Sequence, residues 1–215
     1  VYQEYRNRDY IPENQYGLHY HYHALLPHAW TFVATDRMDQ VRGRLSLVPD
    51  RPGMGVSLDR FFYNEVQKLR EEKRRFGEAT LLALDKELFP QANFSLSNFS
   101  KMKFLFQLYR VLFIHAQQVL GLDDLLILFH PKHTALYKHL YFSSCSQVVE
   151  HSTLKNAPCV LMRLNLRDVI PTIIESGENE QLYHFFYPKK MNLDQIGLKY
   201  NLRFSEIEKF LEMNE

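Results

Sequence analysis

The chain has 215 residues, a length that suits one compact domain, since a single hydrophobic core typically serves about 100–200 residues. Lysine and arginine total 26 and aspartate and glutamate total 25, so the formal net charge is +1. A general nucleic-acid-binding protein would carry a strong basic excess, and this balance therefore argues against one. With 16 Phe and 13 Tyr, the chain can build a sizeable core that has room for an apolar ligand.

The sequence carries no pattern of a membrane or secreted protein. No run of about 18 apolar residues occurs, so no segment is predicted to span a membrane. The first ten residues, VYQEYRNRDY, are charged and lack the apolar stretch of a signal peptide. Nothing about the two cysteines, Cys145 and Cys159, demands a disulfide in a chain of this size. We therefore expect a cytoplasmic protein without a structural disulfide.

The first half of the chain alternates between strand and helix patterns. Residues 31–35 and 41–48 are rich in β-formers and are separated by DRMDQ, which predicts a hairpin. Apolar residues at helical spacing predict a helix over 58–69, with Ser57 as its N-cap. The stretch FGEATLLALD, at 76–85, then predicts a largely buried strand.

The second half repeats this alternation. Apolar positions three and four residues apart predict a long helix over 96–120, and the apolar run LLILF at 125–129 predicts a buried strand. A short helix containing Tyr137 follows, and then strand patterns at 145–149 and 159–164. The order of elements predicts the α/β class, with one sheet of mixed direction that holds the hairpin and the strands at 76–85 and 125–129.

Glu78 is a carboxylate inside an otherwise apolar strand, where it costs free energy unless it is paired or functional. Burial would raise its pKa and make it a usable general base near neutral pH. The alternative is a structural glutamate near the strand end that pairs with Arg74 or Arg75. The residues alone leave both interpretations open.

The segment FHPKHTALYKHLYF, at 129–142, holds a second candidate pair. His133 and Tyr137 lie four residues apart, so they are neighbours on one face if this segment is helical. The tyrosine could then donate a proton to a leaving group while the histidine orients it. The alternative is a packed aromatic side chain with a capping histidine.

Histidines also cluster near the N-terminus. His19, His21 and His23 alternate and would share one face of a strand, which is one way to build a zinc site. No cysteine or carboxylate lies close to them in sequence, and metal sites normally draw ligands from several elements. We therefore predict no metal site.

Several stretches resemble the N-acyl amino acid synthases, which are relatives of the acyl-homoserine-lactone synthases with the GCN5-related N-acetyltransferase (GNAT) fold. The resemblance runs in family order over residues 1–166, and its most specific parts are FYNEVQKLREEKRRFGEATLLALD and FHPKH with the following Tyr and Phe. Further parts are VYQEYRNRDYI, YHALLP, TFVAT, GRLSLVPD and NAPCVLMRLNL. It implies a GNAT-like mixed, twisted sheet flanked by helices over 1–166 and a helical C-terminal extension over 167–215.

The resemblance implies transfer of a fatty acyl group from an acyl carrier protein to the α-amine of an amino acid. The donor is then carried on the phosphopantetheine of the carrier, and its thioester lies between splayed strands. Acetyltransferases of this fold that use coenzyme A hold its pyrophosphate on a glycine-rich loop. The corresponding stretch, DKELFPQANFSLSNFSK at 85–101, has no glycine, which disfavours coenzyme A. No bound cofactor is expected, and an acyl amino acid product would partition to membranes.

The resemblance also assigns roles to individual residues. Glu78 matches the family's strand glutamate, which binds or deprotonates the amine, Tyr137 matches the group that protonates the departing thiolate, and His133 frames the thioester. Substrate contacts are expected from Phe32, Leu82, Ala83, Leu84, Phe129 and Pro131. Contacts with the acidic carrier protein are expected from Lys101, Lys103 and Arg110.

Two other functions remain alternatives. A non-catalytic module of the same fold could bind an acylated carrier or an acyl amino acid, and a coenzyme A-dependent N-acetyltransferase could act on an amine. The joint presence of Glu78 and Tyr137 favours an enzyme. After the strand glutamate, the family more often has a smaller residue and an arginine or cysteine. This chain instead reads EATLLALD, and because of that difference the acceptor amino acid is not predicted.

Overall fold

The computed structural model describes residues 1–36, 38–85, 94–169 and 186, and for 94–103 and 153 it describes the backbone alone. The strands of the described residues are β1 (Trp30–Thr35), β2 (Val41–Pro49), β3 (Phe76–Leu84), β4 (Asp124–Phe129), β5 (Ser143–Ser144), β6 (Val149–His151) and β7 (Ala157–Asn165). The α-helices are α1 (Tyr2–Asn7), α2 (Tyr63–Glu71), α3 (Phe94–Ile114) and α4 (Thr134–His139). A π-turn, His115–Val119, extends α3, and 3₁₀ turns cover Tyr22–Leu25, Ser57–Arg60, Pro131–His133 and Ser152–Leu154. None of the described helices is long and apolar enough to cross a membrane.

The strands form one mixed sheet in the order β1-β2-β3-β4-β7-β5, with β6 also paired to β7. Only β3 and β4 are parallel among the described neighbours, and the other pairs are antiparallel. Parallel neighbours need a long crossover connection, and α3 lies in the segment that connects β3 to β4. The predicted single sheet of mixed direction, flanked by helices, is confirmed.

The two faces of the sheet carry separate apolar cores. Tyr109 and Phe113 of α3 pack with Leu45, Ala79 and Ile127 on the first face. The second face packs against α2 and the 3₁₀ turn that precedes it, through the core residues Val48, Leu58, Val66, Phe76 and Leu126. Successive side chains of a strand point to opposite faces, so Glu78, two residues after Phe76, lies on the α2 face.

A buried ion cluster joins β3, β4 and β7 at the start of the parallel pair. Asp124 is fully buried and accepts hydrogen bonds from two guanidinium groups. One belongs to Arg74, and the other belongs to Arg163, which donates at 2.7 Å. Arg74 also donates to the side-chain oxygen of Asn165 at 3.0 Å. Arg74 thus pairs with Asp124, not with Glu78.

Two predicted elements were wrong in detail. The helix predicted over 58–69 begins at Tyr63, because Ser57 starts a 3₁₀ turn and its side chain donates to Glu78 instead of capping a helix. The strand predicted over 145–149 is replaced by β5 and β6. The Leu161 amide of β7 donates to the Ser146 hydroxyl at 3.0 Å, so a side chain takes the place of a ladder partner there.

The predicted extension over 167–215 falls mostly outside the described residues. Phe186 is described as helical and buried, and its ring packs against Phe106 and Phe113, with ring centroids 5.6 Å and 5.4 Å away. The helical nature of the remaining extension stays a prediction.

Candidate active site

The candidate site lies where β3 and β4 separate. The parallel pairing runs from Phe76 opposite Asp124 to Ala79 opposite Ile127 and then ends, although β3 continues to Leu84 and β4 to Phe129. The predicted divergence of these two strands at one end is therefore present in the sheet, and it leaves a slot between them.

A β-bulge in β3 lies beside this slot. Thr80 pairs with Ser46 and Ala83 with Arg44, so Leu81 and Leu82 together oppose the single residue Leu45 of β2. Leu81 has φ 54°, in the left-handed region that a leucine rarely adopts. A bulge of this kind bends its strand and ends regular pairing, which accounts for the separation of β3 from β4.

A cavity of about 310 Å³ occupies the slot and reaches both faces of the sheet. Leu105 and Tyr137 line it from the α3 face, and Leu58 and Cys159 line it from the α2 face. The volume lies in the range of small-molecule sites, and most of the lining is apolar. The polar or titratable lining residues are Glu4, Tyr5, Arg8, Tyr10, His21, Ser57, Glu78, Thr80, His130, His133, Tyr137, His151 and Cys159.

Glu78 is buried in the wall of this cavity and is held by neutral donors. One carboxylate oxygen accepts the Ser57 backbone N–H at 2.9 Å, and the other accepts the Ser57 hydroxyl at 2.5 Å. Burial raises the pKa of Glu78 to about 7, although hydrogen bonds from Ser57, Leu58 and Thr80 oppose that rise. A carboxyl group with this pKa can accept a proton near neutral pH.

Tyr137 lies across the slot, on the α3 face. Its ring stacks on Phe129 with a centroid distance of 4.0 Å, and its hydroxyl lies 2.7 Å from the hydroxyl of Tyr109. Burial raises the pKa of Tyr137 to about 12, against the opposing effects of the Tyr109 hydrogen bond and the positive charge of Arg8. Tyr137 therefore stays protonated at neutral pH and can donate a hydrogen bond.

The cavity brings together most of the residues that the sequence singled out for substrate chemistry. His133, at the N-terminal end of α4, lines it with Glu78 and Tyr137. The predicted substrate residues Leu82, Ala83, Leu84 and Phe129 also line it. Phe32 and Pro131 do not: Phe32 is buried in the α3-side core, and Pro131 begins the 3₁₀ turn between the lining residues His130 and His133.

Of the three predicted carrier contacts, the structure describes the side chain of Arg110 alone, and Arg110 is not among the described lining residues. Arg110 is a partly buried residue of α3. Lys101 and Lys103 are also on α3, but their side chains lie outside the described residues. Their role in carrier binding stays a prediction.

Three histidines of the lining, His21, His130 and His151, were not identified from sequence as substrate-site residues. His151 packs against Phe61 with its ring tilted by 40° and a centroid distance of 4.2 Å, and burial lowers its pKa. Burial, with the nearby histidines and Arg44, lowers the pKa of His21 to about 3. Both are therefore neutral at physiological pH. Among the described residues, no three His, Cys, Asp or Glu side chains are grouped to hold a metal ion.

Neither cysteine has the environment of a nucleophile. Cys159 lines the cavity, but burial raises its pKa to about 11. Burial also raises the pKa of Cys145 to about 11. Reactive cysteines need a lowered pKa, so both groups stay in the poorly nucleophilic thiol form.

Comparison with known proteins gives a family match over three quarters of the chain. The model of a family described as "N-acyl amino acid synthase FeeM" matches residues 1–165. The solved structure of FeeM, an N-acyl amino acid synthase from uncultured soil microbes, matches with a TM-score of 0.61 and 22% identity, covering 77% of this chain and 81% of that chain. A variant of the spermidine N-acetyltransferase SpeG from Vibrio cholerae matches with a TM-score of 0.47 and 14% identity, covering 78% and 87%. A search of curated protein sequences finds no match. The fold is that of the FeeM structure, GNAT-like as the sequence resemblance implied.

Proposed function

The chain belongs to the family of the N-acyl amino acid synthase FeeM, and from this premise we propose that it transfers a fatty acyl group from an acyl carrier protein to the α-amine of an amino acid. The observation that carries the proposal is the position of Glu78, a buried carboxyl group with a pKa of about 7 in a cavity between two diverging strands. This site combines a proton acceptor with an apolar wall.

The reaction proceeds by direct attack of the amine on the thioester. Glu78 accepts a proton from the amine, the nitrogen–carbon bond forms, and the carbon–sulfur bond breaks with the electron pair leaving on sulfur. No covalent acyl-enzyme is needed, and the raised pKa values of Cys145 and Cys159 support a mechanism without one. The products are the N-acyl amino acid and the thiolate of the carrier, which becomes the free thiol as Glu78 releases, directly or through solvent, the proton that it took from the amine.

Tyr137 acts on the leaving group. Its pKa of about 12 lies well above that of a thiol, about 8.5, so full transfer of its proton to the thiolate is unfavourable. Tyr137 instead stabilises the developing thiolate by donating a hydrogen bond. The Tyr109 hydroxyl, 2.7 Å away, and the stacked ring of Phe129 fix its orientation. His133 lies on the same wall and frames the thioester.

The proposed donor is a carrier-bound thioester rather than acyl-coenzyme A. The stretch 85–101 has no glycine, whereas a pyrophosphate cradle needs close backbone approach. The carrier is acidic in this proposal, and Lys101, Lys103 and Arg110 are its proposed contacts on α3. An acidic surface would then be recognised by a local cluster, because the net charge of the chain is only +1.

The experiment that tests the proposal is product identification with purified protein. The protein is incubated with single amino acids and either an acyl carrier protein thioester or the coenzyme A thioester of the same fatty acid, and N-acyl amino acids are detected by mass spectrometry. We expect product from the carrier thioester at the higher rate. Faster reaction with the coenzyme A thioester would overturn the donor assignment. Binding of an acyl amino acid without any turnover would favour a non-catalytic module.

A further inference from the structure

We infer that Arg8 binds the α-carboxylate of the acceptor amino acid. The inference rests on the proposed function, because it names the group that recognises the acceptor in the same cavity. It would explain how an enzyme with an apolar slot selects an amino acid over a simple amine.

The acceptor needs a cationic partner in this cavity. An amino acid carries a carboxylate next to its amine, and moving a carboxylate out of water is costly unless a positive charge or strong hydrogen bonds compensate it. Glu78 is suited to the amine and repels a carboxylate when it is itself ionised. A second group must therefore hold the carboxylate.

Arg8 is the one Lys or Arg side chain among the described residues that line the cavity. Four histidines also line the cavity. Burial lowers the pKa of His21 and of His151, so these two are neutral at neutral pH. His133 is assigned to the thioester, and the Nδ1 of His130 accepts the Lys132 amide at 3.2 Å. Arg44 lies close enough to His21 for its charge to lower that pKa, but it is not part of the lining.

Neighbouring side chains hold the Arg8 guanidinium at the cavity wall. Glu4, one turn earlier on the chain, accepts from Nε at 2.7 Å and lies 2.5 Å from one terminal nitrogen. Burial lowers the pKa of Arg8, but Glu4 and then Tyr10, which also hydrogen-bonds to the guanidinium, more than offset that effect and raise it. A guanidinium has five N–H donors in a planar fork, so one held by Glu4 can still bind a carboxylate.

Arg8 is close to the reaction centre. Its positive charge acts on Tyr137 and opposes the rise in pKa that burial causes there. Arg8 is also partly accessible, with a side-chain exposure of 38%, so a substrate entering from solvent can reach it. The proposed arrangement holds the acceptor at two points, with its amine at Glu78 and its carboxylate at Arg8.

Arg6, in α1, supplies a matched control two residues before Arg8, which directly follows that helix. It pairs with Glu13 at 2.6 Å on the surface and does not line the cavity. The substitutions Arg8→Gln and Arg6→Gln therefore each remove one positive charge, at positions two residues apart. Arg8→Lys keeps the charge but loses the fork geometry.

The experiment compares the accepted amino acid with its carboxamide, which keeps the amine and side chain but has no negative charge. We expect Arg8→Gln to raise the KM for the amino acid by roughly 10- to 100-fold, as expected for loss of a charge-assisted hydrogen bond, and to change the KM for the amide by less than about threefold. Arg8→Lys should recover part of the difference. Arg6→Gln should leave both acceptors at wild-type values.

Equal loss for the amino acid and its amide in Arg8→Gln would overturn the inference, since it would indicate an effect on the thioester or on folding. The same selective loss in Arg6→Gln would also overturn it, because the effect would then come from the general charge of the N-terminal segment. These results differ from failure of the proposed function, in which the wild-type protein would form no N-acyl product from any amino acid.

Discussion

The two ends of the β3–β4 pair hold buried carboxylates in opposite environments. At the paired end, the fully buried Asp124 is compensated by the guanidinium groups of Arg74 and Arg163. Towards the other end of the pairing, beside the open slot, Glu78 lies opposite Leu126, and its described hydrogen-bond partners are neutral. Its pKa rises to about 7. The two carboxylates are similarly buried but differ in the charge of their partners, and opposite charge nearby favours the ionised form of a carboxylate whereas burial alone disfavours it.

The backbone also differs between the two ends of the β3–β4 pair. The paired end has regular parallel register, whereas the open end has a bulge with Leu81 at φ 54° and no pairing between the strands beyond Ala79 and Ile127. Residues in such conformations cost of order 1–3 kcal/mol and persist where the surrounding structure holds them.

The largest expected effect is on turnover, at the open end. Glu78→Gln should lower kcat by about 10²- to 10⁴-fold, because the carboxamide keeps the shape of the side chain but cannot accept a proton. Steady-state kinetics at saturating acceptor and donor measure this. A wild-type kcat in the variant would show that Glu78 has a structural role only.

The paired end should respond in the opposite way. Asp124→Asn leaves Arg74 and Arg163 without their anion and should lower the free energy of unfolding by about 3–5 kcal/mol. Urea denaturation measures the loss, and kcat of the folded fraction should change little. A folded variant of unchanged stability would remove the proposed difference between the two carboxylates.

Protonation of Glu78 can also be detected without turnover. The pKa of Glu78 is raised from 4.5 to about 7 in the folded state, so this group contributes stability fully below pH 4.5, and the contribution is lost as the pH rises through 7. Relative to Glu78→Gln, the wild type should therefore lose about 3 kcal/mol between these pH values. Urea unfolding of both proteins across that range measures it, and a pH-independent difference would contradict the raised pKa.

Tyr137→Phe should have the smallest effect, a fall in kcat of about tenfold or less, because a thiolate is a tolerable leaving group and only one hydrogen bond is lost. Activated thioesters with more acidic thiols should reduce the effect further, which kinetics with a series of leaving groups would measure. A loss as large as that of Glu78→Gln would mean that Tyr137 transfers its proton in the rate-limiting step.

The sequence was informative where local patterns carry the signal. The apolar strand around Glu78, the spacing of His133 and Tyr137, and the residues Leu82 to Leu84 all identified parts of one cavity. Ser57 was misassigned as a helix cap because its partner, Glu78, lies 21 residues further along the chain. Arg8, His21 and His151 reach the cavity from the two ends of the described chain, and no local spacing relates them to Glu78.

The pH dependence of kcat/KM for acyl transfer, measured in the wild type and in Glu78→Gln, decides whether Glu78 is the general base. This ratio reports the titration of essential groups in the free enzyme. We expect kcat/KM of the wild type to rise with increasing pH, with an apparent pKa of about 7. The residual activity of Glu78→Gln should lack this inflection. The same inflection in both proteins would contradict the assignment of Glu78 as the general base.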